Sequence, residues 1–167
     1  MKFFIVIDMQ NDFLTGSLAN PEAVKILPNI VEKVKKYRDD GYTIVFTRDT
    51  HYDNYMSTGE GKHLPVSHCI IESDGWKIAK ELTPQDDDVI IDKEHFGYDA
   101  WTEYIEPGDE VVICGTVTSI CVCANFSAIK MIENVEVTVL KDCCADLSNE
   151  MQDAALKVMA AQQGIIK

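Results

Sequence analysis

The residue whose position most clearly suggests chemistry is Cys121, which follows a short loop of small and hydroxyl-bearing residues. In the stretch GTVTSICVCANFSAIK, residues 115–130, an apolar helical pattern begins beside this cysteine. Unpaired backbone N–H groups at a helix N-terminus, together with the helix macrodipole, favour a thiolate and can bind an oxyanion. A free cysteine is often only a core residue, but this placement predicts that Cys121 is a nucleophile.

The other cysteines are not predicted to react. Cys123 lies two residues after Cys121, so on a helix the two side chains point about 200° apart, which disfavours a dithiol pair or a shared metal. The role of Cys69 stays open. The cysteines that we interpret as core or structural residues are Cys114, Cys123, Cys143 and Cys144.

A possible metal site lies in the polar segment 48–71. Asp49 and His51 alternate, so in an extended chain both side chains point the same way and can share one ion. Two imidazole nitrogens and two carboxylates suit zinc, iron or manganese, with zinc first among them. A solvated polar loop is the alternative, because D-x-H is a common tripeptide. The candidate ligands are Asp49, His51, Glu60 and His68, with His63 as a competitor.

Two charged residues follow apolar runs in the same way. Asp8 comes directly after FFIVI, and Lys93 comes at the end of DVIIDK. Either could be unremarkable, since acidic residues favour turns and most lysines are merely solvated. A lysine beside a thiol, however, would lower the pKa of that thiol and could stabilise a developing oxyanion.

Alternating elements must position these residues. Short apolar runs that read as strands covered on both faces occur at 3–7, 42–47, 88–92, 110–115 and 135–140, with only 164–166 left for a sixth. Helical patterns occupy 21–40, 119–133 and 148–163, and Pro28 predicts either a kink in the first helix or a start at that residue.

This alternation predicts a single α/β domain over residues 1–167. The expected architecture has three layers, with a doubly wound, mostly parallel sheet of five or six strands and helices on both faces. Ligands bind such sheets at the carboxyl ends of the strands. We therefore expect the four groups of candidate residues to meet at one edge.

Composition excludes several classes of partner. The 28 acidic residues outnumber the 15 basic ones, and the formal net charge of −13 disfavours nucleic acid and acidic membrane surfaces. Only five apolar residues precede Asp8, too few for a signal peptide, and no apolar run is long enough for a membrane span. Six cysteines without regular framework spacing predict free thiols in a reducing cytoplasm.

Three stretches in order resemble the signature blocks of the isochorismatase-like cysteine hydrolase superfamily: VIDMQNDF, the lysine of DKEHFGYDAW, and CGTVTSICVCANFSA. The later KDCCAD resembles the segment after the fifth strand of that family. The resemblance implies that Asp8 is the general base, Lys93 its charged partner and Cys121 the nucleophile. It also implies a cis peptide between Thr116 and Val117, and an oxyanion hole formed by the backbone N–H groups of Val117 and Cys121.

Within the superfamily, D-x-H followed by a histidine just before a cysteine resembles the nicotinamidases, whereas isochorismatases lack a metal ligand set. Many nicotinamidases have a further histidine ligand shortly after D-x-H. The stretch YDNYMSTGEG has none, and Glu60 resembles the carboxylate used by another branch. The chain is also short for a nicotinamidase, with a trimmed loop after His68.

The resemblance implies hydrolysis of nicotinamide to nicotinate and ammonia through a thioester on Cys121. One divalent metal would hold the pyridine nitrogen, while Phe13 and either Trp76 or Tyr98 would pack against the ring. The expected partners are a small-molecule amide substrate and further copies of the chain in a homo-oligomer. Two alternatives stay open: hydrolysis of another small amide or ureido compound, and a non-enzymatic metal-binding or thiol redox sensor.

Overall fold

A six-stranded parallel sheet forms the centre of the computed structural model, which describes residues 1–167. Its spatial order is β3-β2-β1-β4-β5-β6. This arrangement confirms the predicted α/β class, and the short last strand supplies the sixth member. The strands are β1 (Lys2–Ile7), β2 (Thr43–Asp49), β3 (Val89–Lys93), β4 (Glu110–Thr116), β5 (Glu136–Ala145) and β6 (Ile165–Ile166).

Five α-helices connect or flank the strands: α1 (Asn11–Leu14), α2 (Pro21–Asp39), α3 (Gly59–His63), α4 (Cys123–Lys130) and α5 (Asn149–Ala161). A π-helical turn, Thr118–Val122, leads directly into α4. Short 3₁₀ turns cover Tyr55–Ser57, Lys80–Leu82 and Trp101–Glu103. No helix has the length and apolar character needed to cross a membrane.

Helix α2 begins where its sequence provides a cap. The side chain of Asn20 accepts a hydrogen bond from the backbone N–H of Glu22, and Pro21 occupies the first helical position, where its missing N–H costs nothing. Pro28 lies inside this helix without ending it. The expected alternative of a helix that starts only at Pro28 is therefore wrong.

The order in which successive strands are added reverses at the centre of the sheet, between β1 and β4. The chain passes from β1 to β2 on one side, and from β4 to β5 and β6 on the other side. Because parallel crossovers are right-handed, α2 and α4 lie on opposite faces of the sheet. The crevice beside the carboxyl ends of β1 and β4 is the point at which such a fold binds ligands.

The buried core explains why β1 consists of consecutive apolar residues. Strand β1 lies between β2 and β4, and Phe4, Ile5, Val6 and Ile7 have no exposed surface. Strand β5 is longer than its apolar run because pairing with β4 resumes after a register shift between Ile113 and Gly115. That extension carries Cys143 and Cys144, which are buried as structural residues.

Gly115 supports a prediction about stability. Its φ is +123°, and a Cβ placed there would lie 2.1 Å from the carbonyl oxygen of Ile7. We expect Gly115→Ala to lower the free energy of unfolding by about 3 kcal/mol or more, because overlap with backbone adds to the cost of the left-handed conformation. Urea denaturation measures this loss.

Gly41→Ala is the matched control. Gly41 also has positive φ, +81°, but nothing lies within 4 Å of its added Cβ. Its cost should stay at about 1–2 kcal/mol. Equal losses in the two variants would show that the contact with Ile7 does not decide the identity of residue 115.

Candidate active site and metal centre

The ends of three strands bring Asp8, Lys93 and Cys121 together. Asp8 follows β1, Lys93 closes β3, and Cys121 lies in the turn after β4. The Lys93 Nζ is 2.7 Å from the Asp8 Oδ2. All three side chains are buried. The structure therefore brings a carboxylate, a lysine and a thiol together in a buried group, as the pattern of strand ends predicts.

Thr47 is a neighbour of Asp8 that sequence analysis did not identify. Its Oγ1 donates a hydrogen bond to the Asp8 Oδ1 (2.6 Å) and accepts one from the Asp8 backbone N–H (3.1 Å). The Asp8 Oδ2 has its ion pair with Lys93 but no hydrogen bond of good geometry. One carboxylate oxygen is thus held by Thr47, and the other remains able to accept a proton.

Burial and neighbouring charges together determine the pKa values of Asp8 and Lys93. Burial raises the pKa of Asp8, an effect that the charge of Lys93 opposes only in part. Burial acts to lower the pKa of Lys93, but the charges of Asp8 and Asp49 raise it, so this lysine stays charged.

The thiol differs from the sequence-based expectation. Burial raises the pKa of Cys121 well above its usual value, and the charge of Lys93 offsets this only partly. Lys93 acts to lower this pKa as expected, but removal from water outweighs its charge, so the expected net fall does not occur. A buried thiol of this kind keeps its proton until a neighbouring base takes it.

The loop before the thiol has the geometry that the resemblance implied. The peptide bond between Thr116 and Val117 is cis. Val117 and Cys121 both line the same cavity. The turn itself is held by Asp146, whose Oδ2 accepts a hydrogen bond from the backbone N–H of Ser119 (2.7 Å).

The four expected metal ligands converge. One donor atom from each of them lies within 4.8 Å of the others. The Asp49 Oδ2 is 2.9 Å from the His51 Nε2 and 3.3 Å from the His68 Nε2. The Glu60 Oε1 lies 3.6 Å and 3.7 Å from the same two nitrogens. Such a set of two imidazoles and two carboxylates fits a divalent transition metal.

Local structure explains how distant ligands meet. A parallel bridge pairs His51 with Ile70, and the His51 N–H donates to the carbonyl oxygen of Cys69 (2.9 Å). This pairing draws His68 toward the end of β2. Glu60 lies in the first turn of α3, which Thr58 caps through the N–H of Gly61.

Hydrogen bonds also fix the orientation of two of the candidate metal ligands, His68 and Asp49. The His68 Nδ1 lies 2.8 Å from the carbonyl oxygen of Val66, so Nδ1 keeps its proton, and Nε2 is the nitrogen that faces the cluster. Gln10 holds Asp49 from both sides, accepting from its N–H (2.7 Å) and donating to its carbonyl oxygen (2.9 Å). His63 is exposed, contacts the carbonyl oxygen of Gly59 and lies outside the cluster.

The charge state of Asp49 agrees with this arrangement. Burial acts to raise its pKa, but hydrogen bonds from His51 and His68 and the charge of Lys93 lower it well below the usual range. Its Oδ1 is buried without a hydrogen bond and lies 3.5 Å from the Lys93 Nζ. The other oxygen, Oδ2, faces the two histidines, and an ionised carboxylate is the form that binds a metal ion.

A cavity of about 370 Å³ connects the thiol with the metal cluster. Phe13 lines it, as expected. The remaining lining residues are mainly apolar, and sequence analysis missed most of them, although Phe96 lies in the aromatic loop after β3. These additional apolar lining residues include Leu18, Leu64, Phe96, Ile120 and Leu147.

Trp76 and Tyr98 do not line this cavity, contrary to expectation. The Trp76 indole donates to the Thr50 hydroxyl (2.8 Å), and the Arg48 guanidinium lies 3.7 Å from its ring centroid. The Tyr98 ring packs edge-on against Trp101, with centroids 5.4 Å apart. Both rings are therefore committed to structural contacts.

Comparisons with known proteins agree with this geometry. A nicotinamidase from Saccharomyces cerevisiae is 29% identical over an alignment 198 positions long, which covers 90% of this chain and 90% of that protein. A crystal structure of a pyrazinamidase from Pyrococcus horikoshii in complex with zinc is 31% identical, with a TM-score of 0.85 over 99% of this chain and 98% of that one. A pyrazinamidase/nicotinamidase from Streptococcus mutans UA159 shares the fold, with 24% identity and a TM-score of 0.85 over the full length of both chains.

The family model described as the isochorismatase domain matches residues 2–166. That range includes the strand ends that carry Asp8, Lys93 and Cys121, as well as all four residues of the metal cluster. The chain belongs to the isochorismatase family.

Proposed function

We propose that this chain is a metal-dependent cysteine amidohydrolase that converts nicotinamide and water to nicotinate and ammonia. The observation that carries the proposal is one cavity lined both by Cys121 and by Asp49, Glu60 and His68 of the metal cluster. The buried Lys93 pairs with Asp8 and lies 3.5 Å from Asp49, which connects the ion pair to this cavity. The chain is a hydrolase that acts on amide C–N bonds, and the nicotinamidase among its relatives supports the specific substrate.

The first half of the proposed reaction acylates the thiol. Asp8 takes the proton from Cys121, and the sulfur forms a bond to the amide carbon. The backbone N–H groups of Val117 and Cys121 would donate to the resulting oxyanion. The C–N bond then breaks, and the proton held by Asp8 leaves with ammonia. The product of this half is a thioester.

The second half releases the acid. Asp8, again ionised, takes a proton from a water molecule, whose oxygen attacks the thioester carbon. The C–S bond breaks, nicotinate forms, and the thiol of Cys121 regains a proton. Lys93 stays protonated throughout, so its role is to supply a fixed positive charge beside Asp8 and the thiol rather than to transfer a proton.

The metal would be held by Asp49, His51, Glu60 and His68, with zinc as the first candidate and iron or manganese as alternatives. When bound, it would supply an open coordination position for the pyridine nitrogen. Phe13 would pack against the substrate ring, and its own ring lies 5.7 Å from that of His68. Orienting the amide carbon at Cys121 in this way would lower the barrier by several kcal/mol.

A related substrate class is retained as the second candidate. The cavity volume of about 370 Å³ falls within the range of sites for drug-sized ligands, so another small amide or ureido compound would also fit.

We further propose a reducing cytoplasm as the location, since all six cysteines are free. A homo-oligomer stays a prediction.

Replacing the nucleophile gives the most direct test. Cys121→Ala should abolish turnover while it leaves the fold and the metal content intact. Cys123→Ala is the matched control and should retain most of the activity, because Cys123 lies outside the cavity. Ammonia release is measured from nicotinamide and from a panel of small amides and ureido compounds. Hydrolysis by Cys121→Ala at a rate comparable to that of the wild type would reject the thioester mechanism. If the wild type releases no ammonia from any compound, the alternative of a non-enzymatic metal-binding or thiol redox sensor is favoured.

Metal analysis tests the ligand cluster. The purified protein should carry about one divalent transition metal per chain, and His51→Ala should lose both the metal and the affinity for nicotinamide. His63→Ala should retain both, because His63 is exposed and outside the cluster. Elemental analysis and calorimetric titration provide the readouts. Full metal occupancy after replacement of Asp49, His51 and His68 by alanine would eliminate this site.

The separate roles of Asp8 and Lys93 predict opposite changes in thiol titration. Lys93 acts to lower the pKa of Cys121 and Asp8 acts to raise it. The alkylation profile of Cys121 should therefore move to higher pH in Lys93→Met and to lower pH in Asp8→Asn. Turnover by Asp8→Asn should nevertheless fall at least ~100-fold, since the base is lost.

Lys93→Arg is the control for charge, and its thiol pKa should move less than that of Lys93→Met. The measurement is the alkylation rate of Cys121 against pH, beside steady-state turnover. An unchanged profile in Lys93→Met together with near-normal turnover in Asp8→Asn would mean that these residues are not the catalytic unit.

A further inference from the structure

Asn125 is fully buried in α4, one helical turn after Cys121, and the proposed reaction does not use it. Its Nδ2 donates to the carbonyl oxygens of Cys121 (2.8 Å) and Phe96 (3.0 Å). Its Oδ1 accepts from the backbone N–H of Tyr98 (2.9 Å) and from the indole N–H of Trp101 (3.0 Å). Both donors and both acceptor positions of the amide are therefore occupied.

The partners determine the orientation of this amide. Two carbonyl oxygens face the nitrogen, and two N–H groups face the oxygen. A flipped amide would pair acceptors with acceptors and donors with donors. Glutamine carries the same amide on a side chain one methylene longer, and aspartate lacks the two N–H donors, so asparagine matches both the length and the hydrogen-bonding pattern of the site.

These hydrogen bonds join two segments whose relative position matters for the proposed reaction. One is the turn that carries Cys121. The other is the loop after β3, which begins at Lys93 and continues through Phe96. Lys93 is attached to the same loop, because its Nζ donates to the carbonyl oxygen of His95 (3.1 Å). Phe96 and Cys121 both line the cavity.

We propose that Asn125 is a positioning residue, which holds the turn of Cys121 against the loop that carries Lys93 and Phe96. This inference rests on the proposed function in that it takes Cys121 as the nucleophile. A buried network with every member satisfied is rigid, and removal of the central amide leaves its partners unpaired. A displacement of the nucleophile by about 1 Å can cost about 100-fold in rate.

Asn125→Leu is the principal variant, since leucine is similar in volume but forms no hydrogen bonds. We expect kcat for nicotinamide to fall at least ~10-fold while KM changes less than ~3-fold. We also expect iodoacetamide to alkylate Cys121 at least ~5-fold faster, because a loosened loop exposes the thiol. Mass spectrometry of the Cys121 peptide separates this reaction from that of the other cysteines.

Phe126→Leu is the matched control. Phe126 is the next residue of α4, is fully buried in the core and does not line the cavity. It should lose stability by creating a small void, yet keep kcat and the alkylation rate within about twofold of the wild type at a temperature where both remain folded. Asn125→Asp should behave as Asn125→Leu does, since it loses both donors while remaining isosteric.

Rates equal to those of the wild type in Asn125→Leu, or equal losses in Phe126→Leu, would overturn the proposal. Failure of the wild type to hydrolyse nicotinamide would reject the proposed substrate, but the alkylation rates would still decide the role of Asn125. If Asn125→Leu does not fold, Trp101→Phe removes only the indole donor. The proposal then requires faster alkylation of Cys121 in Trp101→Phe than in Phe126→Leu, and equal rates would overturn it.

Discussion

The ion pair between Asp8 and Lys93 is the interaction on which the site depends. It places two charges where the sheet excludes water, and both side chains are almost fully buried. Removing such groups from water costs several kcal/mol per ion even after the protein relaxes. Their neighbours offset this cost, because Thr47 donates to Asp8, and Asp49 places a second carboxylate 3.5 Å from the lysine. Lys93 therefore compensates both carboxylates, and its loss would leave two buried negative charges.

The same exclusion of water determines how the Cys121 thiol can react. Burial raises the pKa of Cys121 and that of Asp8 in parallel. Because the pKa values of both groups are raised, the difference between them is smaller than for a buried thiol beside a carboxylate of ordinary pKa. Proton transfer from Cys121 to Asp8 therefore costs less free energy. Asp49 then joins this pair to the metal cluster, since one of its oxygens faces Lys93 and the other faces His51. Asp49 is therefore common to the catalytic group and the metal cluster of the proposed site.

Local sequence patterns were sufficient for the architecture and for the position of the reactive groups. Consecutive apolar residues identified the strands, because a strand covered on both faces has no polar side. Asp8, Lys93 and Cys121 each stand just after such a run, and parallel strands bring their carboxyl ends to one edge. Their meeting therefore follows from chain topology. The extension of β5 was missed because pairing after a register shift involves residues without an apolar pattern.

Short-range patterns alone determined the α/β class, the strand ends and the positions of Asp8, Lys93 and Cys121, whereas the base role of Asp8 was implied by the family resemblance. Tertiary structure alone decided that Glu60 rather than His63 joins the cluster, because the orientation of α3 depends on contacts with distant segments. It also turned Trp76 away from the cavity and made burial outweigh Lys93 at the Cys121 thiol. Hydrophobic periodicity is a local property of the chain, whereas water exclusion and side-chain direction at a site depend on every segment packed around it.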